Sequence, residues 1–99
     1  MRLSATQKDV LFVLYALRCR GNHAPMINTH LLQLINTSRS TAIHASNFRQ
    51  SCHTLHAYQF LHQYRQPSQE LAWQLTERGG EAAQFIYQQR TGCMARDDS

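Results

Sequence analysis

A chain of 99 residues is long enough for one domain with a single modest core and too short for two. A hydrophobic content of 42%, without any low-complexity tract, excludes a disordered chain. The net charge of +4 is mild, but no Asp or Glu occurs between Asp9 and Glu70, a span that holds Arg18, Arg20, Arg39, Arg49, Arg65 and every histidine. Such an acid-free middle gives a positive potential that steers toward phosphate.

The apolar run Val10 to Leu17 is far too short to span a bilayer, and no small-residue cleavage site follows it. A cytoplasmic protein without a membrane partner is expected. Cys19, Cys52 and Cys93 are an odd number without short metal-type pairing, which points to a reducing compartment and no disulfide framework. Cys19 and Cys52 fall in predicted helices, where a free cysteine behaves as a small apolar residue.

Ser4 followed by Gln7 is a capping box, so a first helix is predicted from about Ala5 to Arg20. Val10, Leu11, Phe12, Val13, Leu14, Tyr15 and Leu17 wrap nearly all the way round it, which requires burial on more than one side. Gly21-Asn22 stops the helix. Ala24-Pro25-Met26-Ile27 reads as a brief edge strand. Asn28 or Thr29 can cap a short second helix through Ile35, with Leu31, Leu34 and Ile35 inward, and Asn36-Thr37-Ser38 breaks it.

A third helix follows, capped by Ser40 or Thr41 and ending near Tyr58-Gln59; a start at Ser46, after a separate turn at Thr41 to His44, is the alternative. Ala45, Phe48, Cys52 and Leu55 form one narrow apolar stripe. The other face carries His44, Asn47, Arg49, Gln50, Ser51 and His53, with no carboxylate. Asn and Gln bond adenine bidentately and Arg bonds guanine, so this face suits the major groove of DNA. Asn47 and Arg49 are its best base readers.

Phe60 to Arg65 and Glu70 to Leu75 alternate like strands around the hairpin turn Gln66-Pro67-Ser68-Gln69. Leu61 marks the inner face of the first strand; Leu71, Trp73 and Leu75 mark that of the second. Thr76 then caps a last helix, Glu77 to about Arg90, with a small-residue stripe of Gly79, Ala82, Ala83 and Ile86. A domain over residues 1–90 and a flexible tail over 91–99 are expected.

The order is helix, short strand, helix, helix, two-stranded hairpin, helix. With it, Leu55-His56-Ala57-Tyr58-Gln59-Phe60-Leu61 and Trp73-Gln74-Leu75-Thr76-Glu77-Arg78-Gly79 resemble the winged helix-turn-helix family of transcriptional regulators. The second run is similar to the family's strand ending in leucine, threonine, acidic, basic, glycine. Gln59 stands where that family usually has glycine, and the connection before the third helix is longer than usual. The resemblance implies a mainly α fold with a small β-hairpin wing (α-β-α-α-β-β-α). It also implies a sequence-specific regulator that binds double-stranded DNA with the third helix in the major groove. Ser40, Thr41, His44, Asn47, Arg49 and His53 become its DNA-binding candidates on or near that helix, Arg39 a phosphate contact from the turn, and Arg65 the contact at the wing tip. A homodimer through the first and last helices is expected, on an operator or on the repeated sites of a plasmid or phage accessory regulator.

The competing readings are weaker. His44, Cys52, His53 and His56 lie close in sequence, but nothing completes a four-ligand zinc site, so no metal or cofactor is expected. Cys19 between Arg18 and Arg20 has the positive surroundings of a redox-sensing thiol. The acids are few and peripheral, and no nucleophile motif or phosphate-binding glycine loop occurs, so an enzyme is not expected. A winged-helix protein-interaction module, using the first and last helices and leaving the third idle, is the alternative.

Overall fold

The computed structural model describes residues 2–92. The order of elements is α1 (Ala5–Cys19), β1 (Met26–Ile27), α2 (Asn28–Thr37), α3 (Ala45–Ala57), β2 (Leu61–Arg65), β3 (Leu71–Leu75) and α4 (Glu77–Thr91). The three strands form one antiparallel sheet in the order β1-β3-β2. Leu61 pairs with Leu75 and Arg65 with Leu71, while Met26 pairs with Trp73 on the other side. The expected tail begins at the last residue of α4, and residues 93–99, with Cys93, lie outside the described residues.

Two caps expected from the sequence form. Ser4 Oγ accepts from the Gln7 amide at 3.1 Å while Gln7 Oε1 accepts from the Ser4 amide at 2.8 Å. Thr76 Oγ1 accepts from the Gly79 amide at 2.8 Å, starting α4. The caps expected for α2 and α3 do not form. Ile27 and His44 occupy those positions, and neither side chain bonds the helix. Asn28 turns into the core instead. Ser40 and Thr41 lie exposed in the connection, because α2 continues through Asn36 and Thr37, leaving residues 38–44 as a loop. The Asn36 side chain holds that loop, accepting from the Ile43 amide at 2.9 Å and donating to the Ile43 carbonyl at 3.4 Å.

The core is built on Val10, Leu11, Leu31, Ile35, Phe48, Cys52, Leu55, Leu61 and Trp73, all fully or almost fully buried. Burial pushes the Cys52 thiol up to about 12, so it stays protonated at neutral pH as a small apolar residue. Cys19, in contrast, is exposed at the end of α1. Leu34 faces outward rather than inward, because α2 buries only the narrow stripe of Leu31 and Ile35.

The apolar circumference of α1 is explained within the chain. Gly79, Gly80, Ala83 and Ile86 of α4 are buried, and α4 packs along α1. Tyr87 stacks on Phe12 with centroids 5.5 Å apart and tilts against Tyr15 at 5.3 Å. The small-residue stripe therefore serves an intramolecular helix pair.

The leucine–threonine–acidic–basic–glycine run has a physical reason at each position. Leu75 is core, Thr76 is the cap and Glu77 faces the positive end of the α4 dipole. The Arg78 guanidinium lies 5.4 Å from the Phe60 ring centroid. Gly79 is required because a Cβ there would stand 1.9 Å from the Phe60 carbonyl oxygen. That same oxygen accepts from the Thr76 amide at 3.1 Å, so β2 and α4 meet at one peptide group.

The end of α3 explains the family's usual glycine. The Phe60 amide bonds the Leu55 carbonyl and the Gln59 amide bonds the His56 carbonyl, each at 2.9 Å. This Schellman closure puts Gln59 in the left-handed region, at φ 68°. A side chain there costs about 1–2 kcal/mol, and glycine carries an entropy cost of about 0.5–1 kcal/mol of its own. Gln59→Gly is therefore expected to raise stability by roughly 0.5–1 kcal/mol, and Gly79→Ala to lower it by about 3 kcal/mol or more. Urea midpoints of the two variants check both signs.

Candidate nucleic-acid interface

The third helix carries its outward residues on a firmly seated stripe. Phe48, Cys52 and Leu55 are fully buried, and their direction fixes every other side chain of α3. At about 100° per residue, Ser46 and Gln50 stand roughly 200° from Phe48, straight away from the core. Asn47 and Arg49 flank the stripe, about 100° to either side. His44, Ala45, Ser46, Asn47, Arg49, Gln50 and His53 are all exposed. No acidic residue lies in the first turn, and the His44 side chain makes no capping hydrogen bond to it.

Trp73 is where this helix meets the sheet. Its indole is fully buried, and Nε1 donates to Asn28 Oδ1 at 2.8 Å. The His53 ring meets Trp73 edge-on at 5.3 Å and His56 lies at 6.4 Å. One side chain of β3 thus touches the first residue of α2 and one flank of α3. Gln63 of β2 adds a contact between its Nε2 and His53 Nδ1 at 3.4 Å.

The wing is short. Gln69 bonds back to Gln66 and Gln66 to Glu70, each at 2.8 Å, with Pro67 at the second turn position. Gln69 takes φ 76° at the last turn position. Arg65 Nη1 donates to the Gln69 carbonyl at 2.9 Å, which holds the arginine against the turn. Between wing and α3 lies an open groove whose walls include Arg49 and His53 on one side and Arg65 and Gln69 on the other. Asn28, Thr29 and Glu70 close its back; Thr29 Oγ1 donates to Glu70 Oε2 at 2.5 Å.

The sequence candidates therefore divide into three places. Arg49, His53 and Arg65 meet in the groove. His44 and Asn47 lie at the start of α3, away from the wing. Ser40 and Thr41 are exposed on the loop before it, and Arg39 is tied inward, pairing with Asp9 and donating from Nε to the Thr41 carbonyl at 3.0 Å. Ser46 and Gln50 are the outward residues absent from the sequence candidates. The signal was their two-residue offset from Phe48, masked by uncertainty over where α3 begins. Glu70 was also missed as a groove residue, since its contact with Thr29 spans 41 positions.

Comparison with solved structures gives a mutant of ZitR from Lactococcus lactis at a TM-score of 0.65 and 16% identity, covering 92% of this chain and 56% of that one. MepR, a transcription regulator of the Staphylococcus aureus multidrug efflux pump MepA, superposes at a TM-score of 0.65 and 14% identity, covering 91% of this chain and 62% of that one. The fold is a winged helix-turn-helix. This chain spans less than two thirds of either protein, and identities this low establish the shared architecture alone. No protein-family model and no curated protein sequence matches the chain. Among the described residues no helix is long and apolar enough to cross a membrane.

The Trp73–Asn28 bond has a direct consequence for this surface. Asn28→Ala would leave a buried indole N–H without a partner, at a cost of about 1–3 kcal/mol. Asn28→Asp keeps the acceptor and should retain more of the stability. Denaturant titration followed by Trp73 fluorescence, Trp73 being the one tryptophan, measures both.

Proposed function

We propose that this chain is a sequence-specific regulator that binds double-stranded DNA, with α3 in the major groove and the wing beside the phosphate backbone. The observation that carries this is the exposed face of α3. Ser46, Asn47, Arg49, Gln50 and His53 form a hydrogen-bonding surface without a carboxylate, on a winged helix whose middle section, residues 10–69, holds no acid. A merely solvated helix face has no reason to exclude Asp and Glu. An acidic partner surface with base edges in a groove gives one. MepR's role as a transcription regulator agrees with this reading.

Within it, the geometry separates two jobs. Gln50 and Asn47 point where base edges would lie, each offering a donor and an acceptor suited to adenine. Arg49 and Arg65 face one another across the groove and would hold a backbone phosphate between helix and wing, with His53 beside them. His44, Ser40 and Thr41, at the positive end of α3, would meet the backbone on the other side. Glu70 tempers the positive potential of the groove but is already engaged by Thr29.

The test is binding of Ala variants to a preferred duplex and to a scrambled one at fixed salt. Gln50→Ala and Asn47→Ala should each cost roughly 1–3 kcal/mol on the preferred site and much less on the scrambled one. Arg49→Ala and Arg65→Ala should weaken both duplexes alike and each reduce the salt slope by about one. Equal losses on both duplexes for all four variants would mean that α3 does not read bases.

The same reading includes a homodimer built from the first and last helices. What supports it is Phe85, 63% exposed on α4, beside a shallow apolar groove formed by Leu3, Ala82 and Ile86 and edged by Arg2, Lys8 and Gln89. A two-fold axis there would present two copies of α3 to one face of a duplex, roughly 34–36 Å apart. Sedimentation of the wild type is expected to show a dimer, and Phe85→Glu a monomer of unchanged fold. A wild type that sediments as a monomer with and without DNA contradicts the dimer.

A further inference from the structure

We propose that Asp9 is a positioning residue for DNA binding, acting through Arg39 on the loop that launches α3. The proposal rests on the regulator reading above and gives Arg39 a different task from the phosphate contact that its sequence position suggested. Asp9 lies in α1, its side chain only 14% exposed, and two arginines converge on it. Arg39 comes from the loop between α2 and α3, and Arg90 from the last turn of α4, at 2.9 Å. A carboxylate withdrawn this far from water is held by the paired guanidinium groups, and removing it would leave two cations facing each other.

The geometry of Arg39 shows where its bonds are spent. Nη1 pairs with Asp9 while Nε donates to the Thr41 carbonyl two residues along its own loop at 3.0 Å. The planar guanidinium therefore clamps the loop backbone to α1 with a fork of fixed shape. The loop is also attached at the end of α2, through the Asn36–Ile43 amide pair and the bonds of Ser38 and Arg39 back to Ile35 and Asn36, and the Ile43 side chain packs against the core. Among the described residues, Asp9–Arg39 is the one ion pair that joins the loop to the rest of the fold. His44, the first residue before α3, follows within a few positions, so the Asp9–Arg39 pair is one of the contacts that place the start of the recognition helix. The second arginine, Arg90, lies over the Phe12 ring at 5.1 Å and holds Asp9 from the α4 side.

Arg39 as a clamp and Arg39 as a phosphate ligand give opposite results. The experiment titrates the protein against sheared bulk DNA and a preferred duplex over a range of salt concentrations. It compares wild type, Asp9→Asn, Arg39→Ala, the double variant, Arg39→Lys and Asp9→Glu. A clamp predicts that Asp9→Asn and Arg39→Ala each weaken binding to the preferred duplex roughly tenfold, with the double variant no worse than either. The salt slope stays as in the wild type, and Asp9→Glu recovers most of the affinity. Arg39→Lys, which keeps the charge but loses the fork, behaves like Arg39→Ala and serves even where Asp9→Asn does not fold. Tighter binding by Asp9→Asn, or a salt slope lower by about one in Arg39→Ala, overturns the proposal, since either would show Arg39 acting on phosphate. Amide hydrogen exchange over residues 38–44 in the free protein supplies an arm independent of DNA. Faster exchange in both single variants, with no further increase in the double, supports the clamp, and unchanged exchange overturns it. A wild type that fails to bind any DNA while this exchange pattern holds would count against the regulator reading and not against the clamp.

Discussion

The buried indole of Trp73 is the constraint on which the arrangement of this surface depends. It sits on the middle strand of the sheet, where it cannot reach water, and its one polar atom must find a partner inside the fold. Asn28 supplies that partner as the first residue of α2, which is why an asparagine expected to cap the helix turns inward. The ring edges then receive His53 and His56 from α3. A donor that must be satisfied, a ring that must be covered and a strand that leads to the wing are the same residue. Packing on Trp73 thus ties together α2, α3 and the strand that leads to the wing, beside the contacts that hold the loop before α3. The proposed reading of a rigid duplex would need that kind of foundation, because a displacement of about one ångström misaligns paired hydrogen bonds.

A second close approach fixes the rest. The Phe60 carbonyl accepts from the Thr76 amide and lies against the bare Cα of Gly79. It thereby joins the end of α3, the start of β2 and the first turn of α4 in one place. The tolerance of Gln59 in a left-handed conformation next to this point shows how strongly the surrounding bonds determine the chain path.

Local chemistry made much of this legible in the sequence. The capping box at Ser4, the Thr76 cap, the hairpin turn at Pro67 and three of the four stripe residues, Phe48, Cys52 and Leu55, depend on neighbours within a few residues and are where the pattern puts them; Ala45, expected in the same stripe, is exposed because it is the first residue of α3. What the pattern could not place depends on long-range contacts. The Ser/Thr-rich stretch after α2 offers several good caps, yet α3 starts at Ala45, one residue from the alternative start at Ser46 and not after Ser40 or Thr41, with the loop held by Asn36 against Ile43 and by Arg39 against Asp9, thirty positions away. The small residues of α4 suggested a partner helix, and that helix proved to be α1 of the same chain. Periodicity identifies a face that must be covered; it does not say what covers it. Within the candidate site, the residue types on α3 were readable, whereas the division between outward Gln50 and groove-facing Arg49 required the true direction of the buried stripe.

The outward face of α3 is proposed to distinguish DNA sequences. Repeated selection of bound duplexes from a random-sequence pool, followed by sequencing, tests it most directly. Enrichment of one motif is expected, present as two inverted half-sites whose centres lie about 10 base pairs apart. Retention of DNA without enrichment of any motif over the starting pool would contradict it.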